Sequence, residues 1–408
     1  MARGTIINRG TKEKPNYTVI IEGARDPVTG KRRQHWHSGY KNKKEAEQAR
    51  TKLLHELDTG RYIEQSRLTM RDFMKEWLAA IKPTVRESTW ETYEVLVRVH
   101  VVPHLGHVTV QRLTPATLNS LYEKLQTEGK KSQRVVQKRR RVQASGEETE
   151  PRGEKNGLSA KTVRNIHIVI HKALDYAVIH NLVQTNVASI ANVPKPARFG
   201  DHDMKTWDAS TLGAFLEGIQ EHRYYPAFLL AAMTGMRRGE VLGLRWQDVD
   251  LDRGELSVTQ SLTSYGYTTR FSSPKTRRSR RHIPLDQKTL AALRVHRASQ
   301  AAEKLRQGPK YVDTGLVFTQ EDGRWVHPDR FSHLFNTLVK KSTLPRIRLH
   351  DLRHTYATLS LQAGTPVKII SERLGHSSAA FTMDVYQHVI PAMQQEAADA
   401  VATLVFGN

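Results

Sequence analysis

The chain has 408 residues, more than one typical domain holds, so two or three domains are expected. Its 63 lysines and arginines against 41 aspartates and glutamates leave a formal charge of +22, which points to a polyanionic partner: DNA, RNA, the ribosome or an anionic membrane surface. There is no cysteine, which excludes disulfides, thiolate zinc sites and cysteine catalysis, and no apolar run approaches the ~20 residues of a membrane helix.

The first residues, Met1 to Arg9, lack the apolar core of a secretion signal, and a cytoplasmic protein is expected. Three strand-like runs follow, at Thr5 to Ile7, Tyr17 to Ile21 and Arg32 to Ser38, the last two joined by the turn chemistry of Asp26 to Gly30. A helix is predicted from Lys43 to Leu57, where Ala46, Ala49, Leu53 and Leu57 share a face and Gly60 ends it. Residues 1–64 thus read as a small domain of three strands and a helix. Its strand face is expected to carry Lys12, Lys14, Arg25, Lys31, Arg32, Arg33, His35, Trp36 and His37, a basic and aromatic mixture that suits a DNA groove or, alternatively, a solvated sheet.

From 65 to 190 the spacing is helical. Phe73, Trp77 and Ile81 are four apart, Thr114-Pro115 opens a helix with Leu118, Leu121, Tyr122 and Leu125, and Ser159 caps one with Val163, Ile166, Ile170 and Leu174. These stripes are core, Trp77 included. The pattern breaks at about 127–157, where Lys130, Lys131, Arg134 and Lys138 to Arg141 precede Glu147, Glu148, Glu150 and Glu154 with almost no large apolar residue. Such a stretch cannot bury enough to fold alone, so a disordered insertion is expected, its basic half either touching phosphates or simply solvated. Residues 191–205, with Pro194, Pro196 and Gly200, read as a linker to a last domain at 206–408.

In that domain Phe228 to Met233 is an apolar helix stopped by Thr234-Gly235, after which Arg237 stands near a new helix start with Glu240 one turn on. Backbone N–H groups and a guanidinium there suit a phosphate. A three-stranded sheet is predicted between Trp246 and Pro284, from Asp248 to Val258 and Arg280 to Leu285. His350 and Arg353 lie three apart on a helix ending before Gly364. Thr365-Pro366 opens another that Gly375 ends, and Ser377 or Ser378 caps a third carrying Tyr386. The fold class expected is α+β, mainly helical. A phenol with pKa ~10 supplied with imidazoles and guanidinium groups suits attack on a phosphodiester, because its proton must be drawn off and the phosphorus oxygens need positive donors.

Leu349-His-Asp-Leu-Arg-His-Thr355, Leu374-Gly-His376 and Tyr386-Gln-His388 together resemble the signature of the tyrosine recombinase (phage integrase) family. Thr234-Gly-Met-Arg-Arg-Gly-Glu240 resembles its first catalytic box, and the first two regions look like its arm-binding and helical core-binding domains. The resemblance implies Tyr386 as nucleophile forming a 3′-phosphotyrosine, Arg237 and Arg353 as donors to the phosphate, and Glu240 holding Arg237. It further implies His350 accepting or relaying the tyrosine proton, His376 donating to the phosphate, and a β-hairpin lysine, assigned to Lys275, protonating the leaving oxygen. Arg277 and Arg278 beside it, like Lys31, Arg32 and Arg33, are read as DNA-binding. No metal and no other cofactor is expected, since the arginines supply the charge and the covalent bond conserves the phosphodiester energy.

The expected function is site-specific recombination of double-stranded DNA attachment sites by a homotetramer, integrating and excising a phage or mobile element, with an excisionase and a DNA-bending host protein as candidate partners. The expected setting is the bacterial cytoplasm, on the nucleoid when bound, with no membrane involved. The N-terminal domain favours an integrase over a chromosome-dimer resolvase. A type IB topoisomerase and a regulator that has lost catalysis are the other rivals; the two-part N-terminal region argues against the first and the filled catalytic positions against the second. The tail after Pro391, with Met393, Ala397, Val401 and Leu404, is a candidate helix docking in cis or in trans.

Overall fold

The computed structural model describes residues 4–11, 14–25, 30, 32–60, 62–128, 157–195, 205–265, 268–273, 280–375, 399 and 402–407. The fold is α+β and mainly helical, and the chain divides into two compact units, Met1–Ala197 and Arg198–Asn408.

The first unit holds two cores. In the smaller, antiparallel strands β1 (Gly4–Asn8), β2 (Tyr17–Arg25) and β3 (Arg32–Tyr40) lie in the order β1-β2-β3. Helix α1 (Lys43–Asp58), capped by the Asn42 side chain on the Glu45 N–H at 2.8 Å, covers one face, where Val19, Ile21 and Ala46 are fully buried. The register corrects the expected binding face. Val19 pairs with His37 and Ile21 with His35, so both histidines lie on the side that faces α1, because side chains alternate along a strand. His37 is buried and its Nε2 meets the Tyr62 hydroxyl at 3.0 Å. Trp36, paired with Ile20, is on the open face, 45% exposed, with the Arg9 guanidinium 4.5 Å from its ring centre. Arg32 and Arg33 belong to β3; Lys12 and Lys31 fall outside the described residues.

The larger core of this unit is all helical. Helix α2 (Met70–Ile81), capped by Thr69 on the Asp72 N–H, buries Phe73, Met74 and Trp77. Helix α3 (Glu87–Leu96) runs through a π turn, Val97–Val101, into α4 (Val102–Leu105). Pro103 lacks an N–H and its ring crowds the carbonyl four residues back, which the wider π turn relieves. Helices α5 (Pro115–Glu128) and α6 (Ala160–Ile179) close the core with the leucine and isoleucine stripes the spacing predicted, and the Tyr122 hydroxyl bonds the His167 ring at 2.9 Å. The Leu158 N–H donates to the Leu125 carbonyl at 2.8 Å, so the chain on either side of 129–156 meets there. That interval, and residues 196–204 of the expected linker, lie outside the described residues.

In the second unit, α7 (Ala209–Gly218) and α8 (Tyr225–Thr234) pack on α11 (Pro328–Lys341) through Trp207, Phe215, Phe228, Phe331 and Phe335. Phe228 and Phe331 stack with ring centres 4.6 Å apart. Helix α8 is buried nearly all round, which is why its sequence shows an unbroken apolar run instead of a stripe. Strands β4 (Val249–Asp250), β5 (Glu255–Val258) and β8 (Arg281–Pro284) form an antiparallel sheet in the order β4-β5-β8. Between β5 and β8 stands a hairpin that the spacing did not predict, β6 (Ser261–Tyr265) with β7 (Thr268–Ser272). The spacing hides it because β7 is largely exposed and, among the residues of β6 whose burial is described, Leu262 is the one buried hydrophobic. Helices α9 (Arg238–Leu242), α10 (Gln287–Gln307), α12 (Asp351–Gln362) and α13 (Val367–Leu374) complete the described part.

Candidate active site

Helix α8 ends because Gly235 adopts the left-handed conformation, φ 63°. A side chain there would meet Leu374 at 2.5 Å and Tyr356 at 2.7 Å, so the turn is pressed between α12 and the end of α13. It is this contact that brings Arg237 to the two later helices. Arg353, on the first turn of α12 and 4% exposed, donates through Nη1 to the Gly235 carbonyl at 2.8 Å. His350 occupies the position just before α12, and its ring meets His354 edge to face, centres 5.3 Å apart. Asp351 begins the helix by accepting the Arg348 N–H at 2.8 Å. Although burial would raise it, the Arg348 hydrogen bonds hold its carboxyl below the usual range.

Arg237 and Glu240 form the pair the spacing predicted, with Nη1 to Oε1 at 2.9 Å. The Arg237 backbone N–H also donates to Glu240 Oε2 at 3.0 Å, so that donor is taken up internally and the guanidinium is left to carry the charge offered to a phosphate. Nη2 of Arg237 reaches the Gly375 carbonyl at 3.1 Å and so ties the α8–α9 turn to the end of α13, where Gly375 again has a positive φ of 66°. Burial would raise the Glu240 carboxyl, but Arg281 first and Arg237 second outweigh it and keep it low, hence ionised.

The second arginine on Glu240 was not singled out from the sequence. In the run Arg277, Arg278, Arg280, Arg281 the basic residues look alike, yet alternation distinguishes them: Arg281 pairs with Val258 and Ile283 with Leu256, both buried, so Arg281 shares the inward side of β8. A groove of about 720 Å³ beside the start of α12, lined by Lys205, Lys340, Arg346 and Arg348 among others, adds further cations not named from the sequence.

His350 keeps an accessible edge, but the protein packed around it, followed by His354 and Arg353, pushes its pKa down to about 4. The imidazole is therefore neutral at pH 7 and able to accept a proton. Two guanidinium groups and a neutral imidazole beside a helix end form a site for a tetrahedral anion that exchanges a proton with an attacking or leaving oxygen. Lys275, Arg277, Arg278, His376 and Tyr386 fall outside the described residues, as does most of the tail after Pro391. Among the described residues, no group of three or more His, Asp or Glu is placed to hold a metal ion, and no helix is long and apolar enough to cross a membrane.

Comparison with known proteins finds three family models in order along the chain. The Arm DNA-binding domain model matches residues 7–57, the N-terminal SAM-like domain of phage integrases 69–126, and the phage integrase family 204–393. A protein named tyrosine recombinase XerC-like, of Caldanaerobacter subterraneus subsp. tengcongensis, is 27% identical over 99% of this chain and 100% of its own length. The ICEBs1 integrase of Bacillus subtilis is 26% identical over 96% of this chain and 98% of its own. The fold matches that of the Tn1549 transposon integrase in complex with transposon right end DNA, with a TM-score of 0.62 and 20% identity over 81% of this chain and all of that one. With all three regions matched in order along it, the chain belongs to the phage integrase family of tyrosine recombinases.

Proposed function

We propose that this protein is a site-specific DNA integrase that cuts and rejoins strands through a 3′-phosphotyrosine, moving a phage or other mobile element into and out of a chromosome. The observation that carries the reading is the convergence of Arg237, Arg353 and a neutral His350 at the end of α13, one residue before His376. Tyr386 Oη attacks the scissile phosphorus while its proton passes toward His350. The P–O5′ bond breaks, and the 5′-oxygen leaves as a hydroxyl with a proton from Lys275. Arg237 and Arg353 neutralise the non-bridging oxygens, and His376 donates to one of them. Attack by the 5′-hydroxyl of the partner duplex reverses each step and releases the tyrosine. Recombining two duplexes breaks four strands and each chain supplies one tyrosine, so the working unit is a tetramer on paired attachment sites, in the bacterial cytoplasm. Residues 1–64 bind arm-type sites, 65–190 grip the core site and 206–408 do the chemistry. Excisionase and a DNA-bending host protein would set direction.

The test is covalent capture. Wild-type protein incubated with a nicked suicide substrate, built from the sequence flanking its gene, should give an SDS-resistant adduct whose tryptic DNA-linked peptide contains residue 386. Free 3′-phosphate ends without adduct, on a substrate that the protein demonstrably cuts, would exclude phosphotyrosine chemistry.

The proton-accepting role of His350 makes a separate prediction. A group lowered from 6.5 to about 4 stays neutral through pH 5–7 in the folded protein, and its contribution to stability, full above 6.5, is lost as pH falls toward 4. An NMR titration of the free protein should place the His350 inflection well below 6.5. An inflection well above 7 would leave the imidazole charged at neutral pH and remove it as the proton acceptor.

A further inference from the structure

We propose that Arg281 is a positioning residue for strand cleavage: by sharing Glu240 with Arg237, it leaves Arg237 a net positive charge to offer the scissile phosphate. The proposal rests on the reading of Arg237 as a phosphate ligand.

The geometry is a carboxylate held between two guanidinium groups. Glu240 Oε2 accepts from Arg281 Nη2 at 2.8 Å and from the Arg237 backbone N–H at 3.0 Å, while Oε1 accepts from Arg237 Nη1 at 2.9 Å and Arg281 Nη1 at 3.4 Å. Exposure separates the two arginines. The side chains of Glu240 and Arg281 are 5% and 6% exposed, whereas that of Arg237 is 40% exposed. Arg281 and Glu240 are thus the fixed buried part of the cluster, and Arg237 is the part that meets solvent and substrate.

Charge decides what this does. Arg237 with Glu240 alone is a neutral ion pair, and an incoming phosphate must compete with a carboxylate free to take the whole fork of the guanidinium. A second, buried arginine shares that carboxylate and makes the cluster +1. Because Arg281 spends its Nε on the Arg373 carbonyl and both Nη atoms on Glu240, its donors are committed to the protein, and the surplus charge is expressed at Arg237.

The same side chain joins three segments on which the reaction depends. Arg281 is the first residue of β8, just after the 274–280 run that contains Lys275. Its Nε donates to the Arg373 carbonyl at the end of α13. A side chain at Gly375 would lie 3.0 Å from its Nη1, so the chain passes against the guanidinium immediately before His376. Carbonyls at a helix end have no partner within the helix, and here Arg281 and Arg237 supply them.

The test measures single-turnover cleavage of the suicide substrate by wild type, Arg281→Met, Arg281→Lys and the double variant Arg281→Met with Glu240→Gln. Arg281→Met should slow cleavage by roughly 30- to 100-fold, part of the effect of deleting a phosphate donor outright, with the dissociation constant for DNA changed by less than about threefold. Neutralising Glu240 in that background should recover about tenfold or more, because the amide no longer holds Arg237 back; this coupling isolates the pair from general damage to the fold. Arg281→Lys, which keeps the charge but not the fork that spans Glu240 and the Arg373 carbonyl, should fall between wild type and Arg281→Met. A double variant as slow as Arg281→Met, or a lysine variant equally slow, would overturn charge sharing and leave Arg281 a purely structural residue. Absence of any adduct with wild type strikes instead at the proposed function, so the two failures are distinguishable.

Discussion

Tyr386→Phe is expected to abolish the SDS-resistant protein–DNA adduct while leaving the non-covalent complex intact. The substitution removes one oxygen, the one that would bond to phosphorus, and nothing else in the ring can replace it. The loss in binding is bounded by one hydrogen bond, about 1 kcal/mol or roughly fivefold in affinity, whereas the loss in covalent product is complete. The reason the protein must work to use this oxygen is also quantitative. A phenol of pKa ~10 is about one part in a thousand ionised at pH 7, so a proton acceptor is required; His350, pushed down to about 4, is neutral at pH 7 and open to a proton, but as a weak base it passes the proton on instead of holding it. Gel-shift and denaturing-gel assays on the same substrate read the two quantities separately. An adduct formed equally by both proteins would assign the nucleophile to another residue; a variant that no longer bound DNA would make the tyrosine a binding residue first.

Much of this arrangement is legible in the chain because it is punctuated by residues with a single physical meaning. Gly235 and Gly375 stop α8 and α13 in the left-handed conformation that glycine adopts without strain, and Thr69, Ser159 and Asp208 open helices through side-chain caps. Period also served where one face is buried, as in α2 and α6. It failed in two informative places. The β6–β7 hairpin offers almost no buried side to alternate against, so its strands look like polar loop. In the N-terminal sheet, His35 and His37 were expected among the groove-facing residues on chemical type alone; pairing with Ile21 and Val19 turns them toward α1. Arg281 belongs to the same lesson. Type places it among basic residues at a phosphate-binding edge, and only its position two residues before the buried Ile283 shows that it points inward. What a residue is and which way it faces are independent facts, and the second comes from pairing that a linear sequence does not display.

The two candidate phosphate arginines should respond alike in rate and differently in stability. Arg353→Ala and Arg237→Ala each remove a donor to the transition state, which typically costs ~100- to 1000-fold in the chemical step. Arg353, however, is 4% exposed and bonds the Gly235 carbonyl that ends α8; its removal strands a buried acceptor and empties a packed space between α12 and the turn. An unsatisfied buried group costs about 1–3 kcal/mol, and the lost side-chain packing adds to it. Arg237 is 40% exposed, and Glu240 keeps Arg281 when it is gone, so Arg237→Ala should leave the melting temperature within a degree or two, on the order of a surface substitution. Arg353→Ala should lower it by several degrees, as expected for a loss above 1 kcal/mol in a domain of this size. Arg353→Lys should restore part of the stability but little of the rate, because an ammonium cannot supply the planar fork that spans a backbone carbonyl and a phosphate together. Paired thermal-unfolding and single-turnover cleavage measurements decide the matter. Equal melting points for the two alanine variants would show that Arg353 does not hold the α8–α9 turn, and an Arg353→Lys protein cleaving at wild-type rate would reduce its part in catalysis to a point charge.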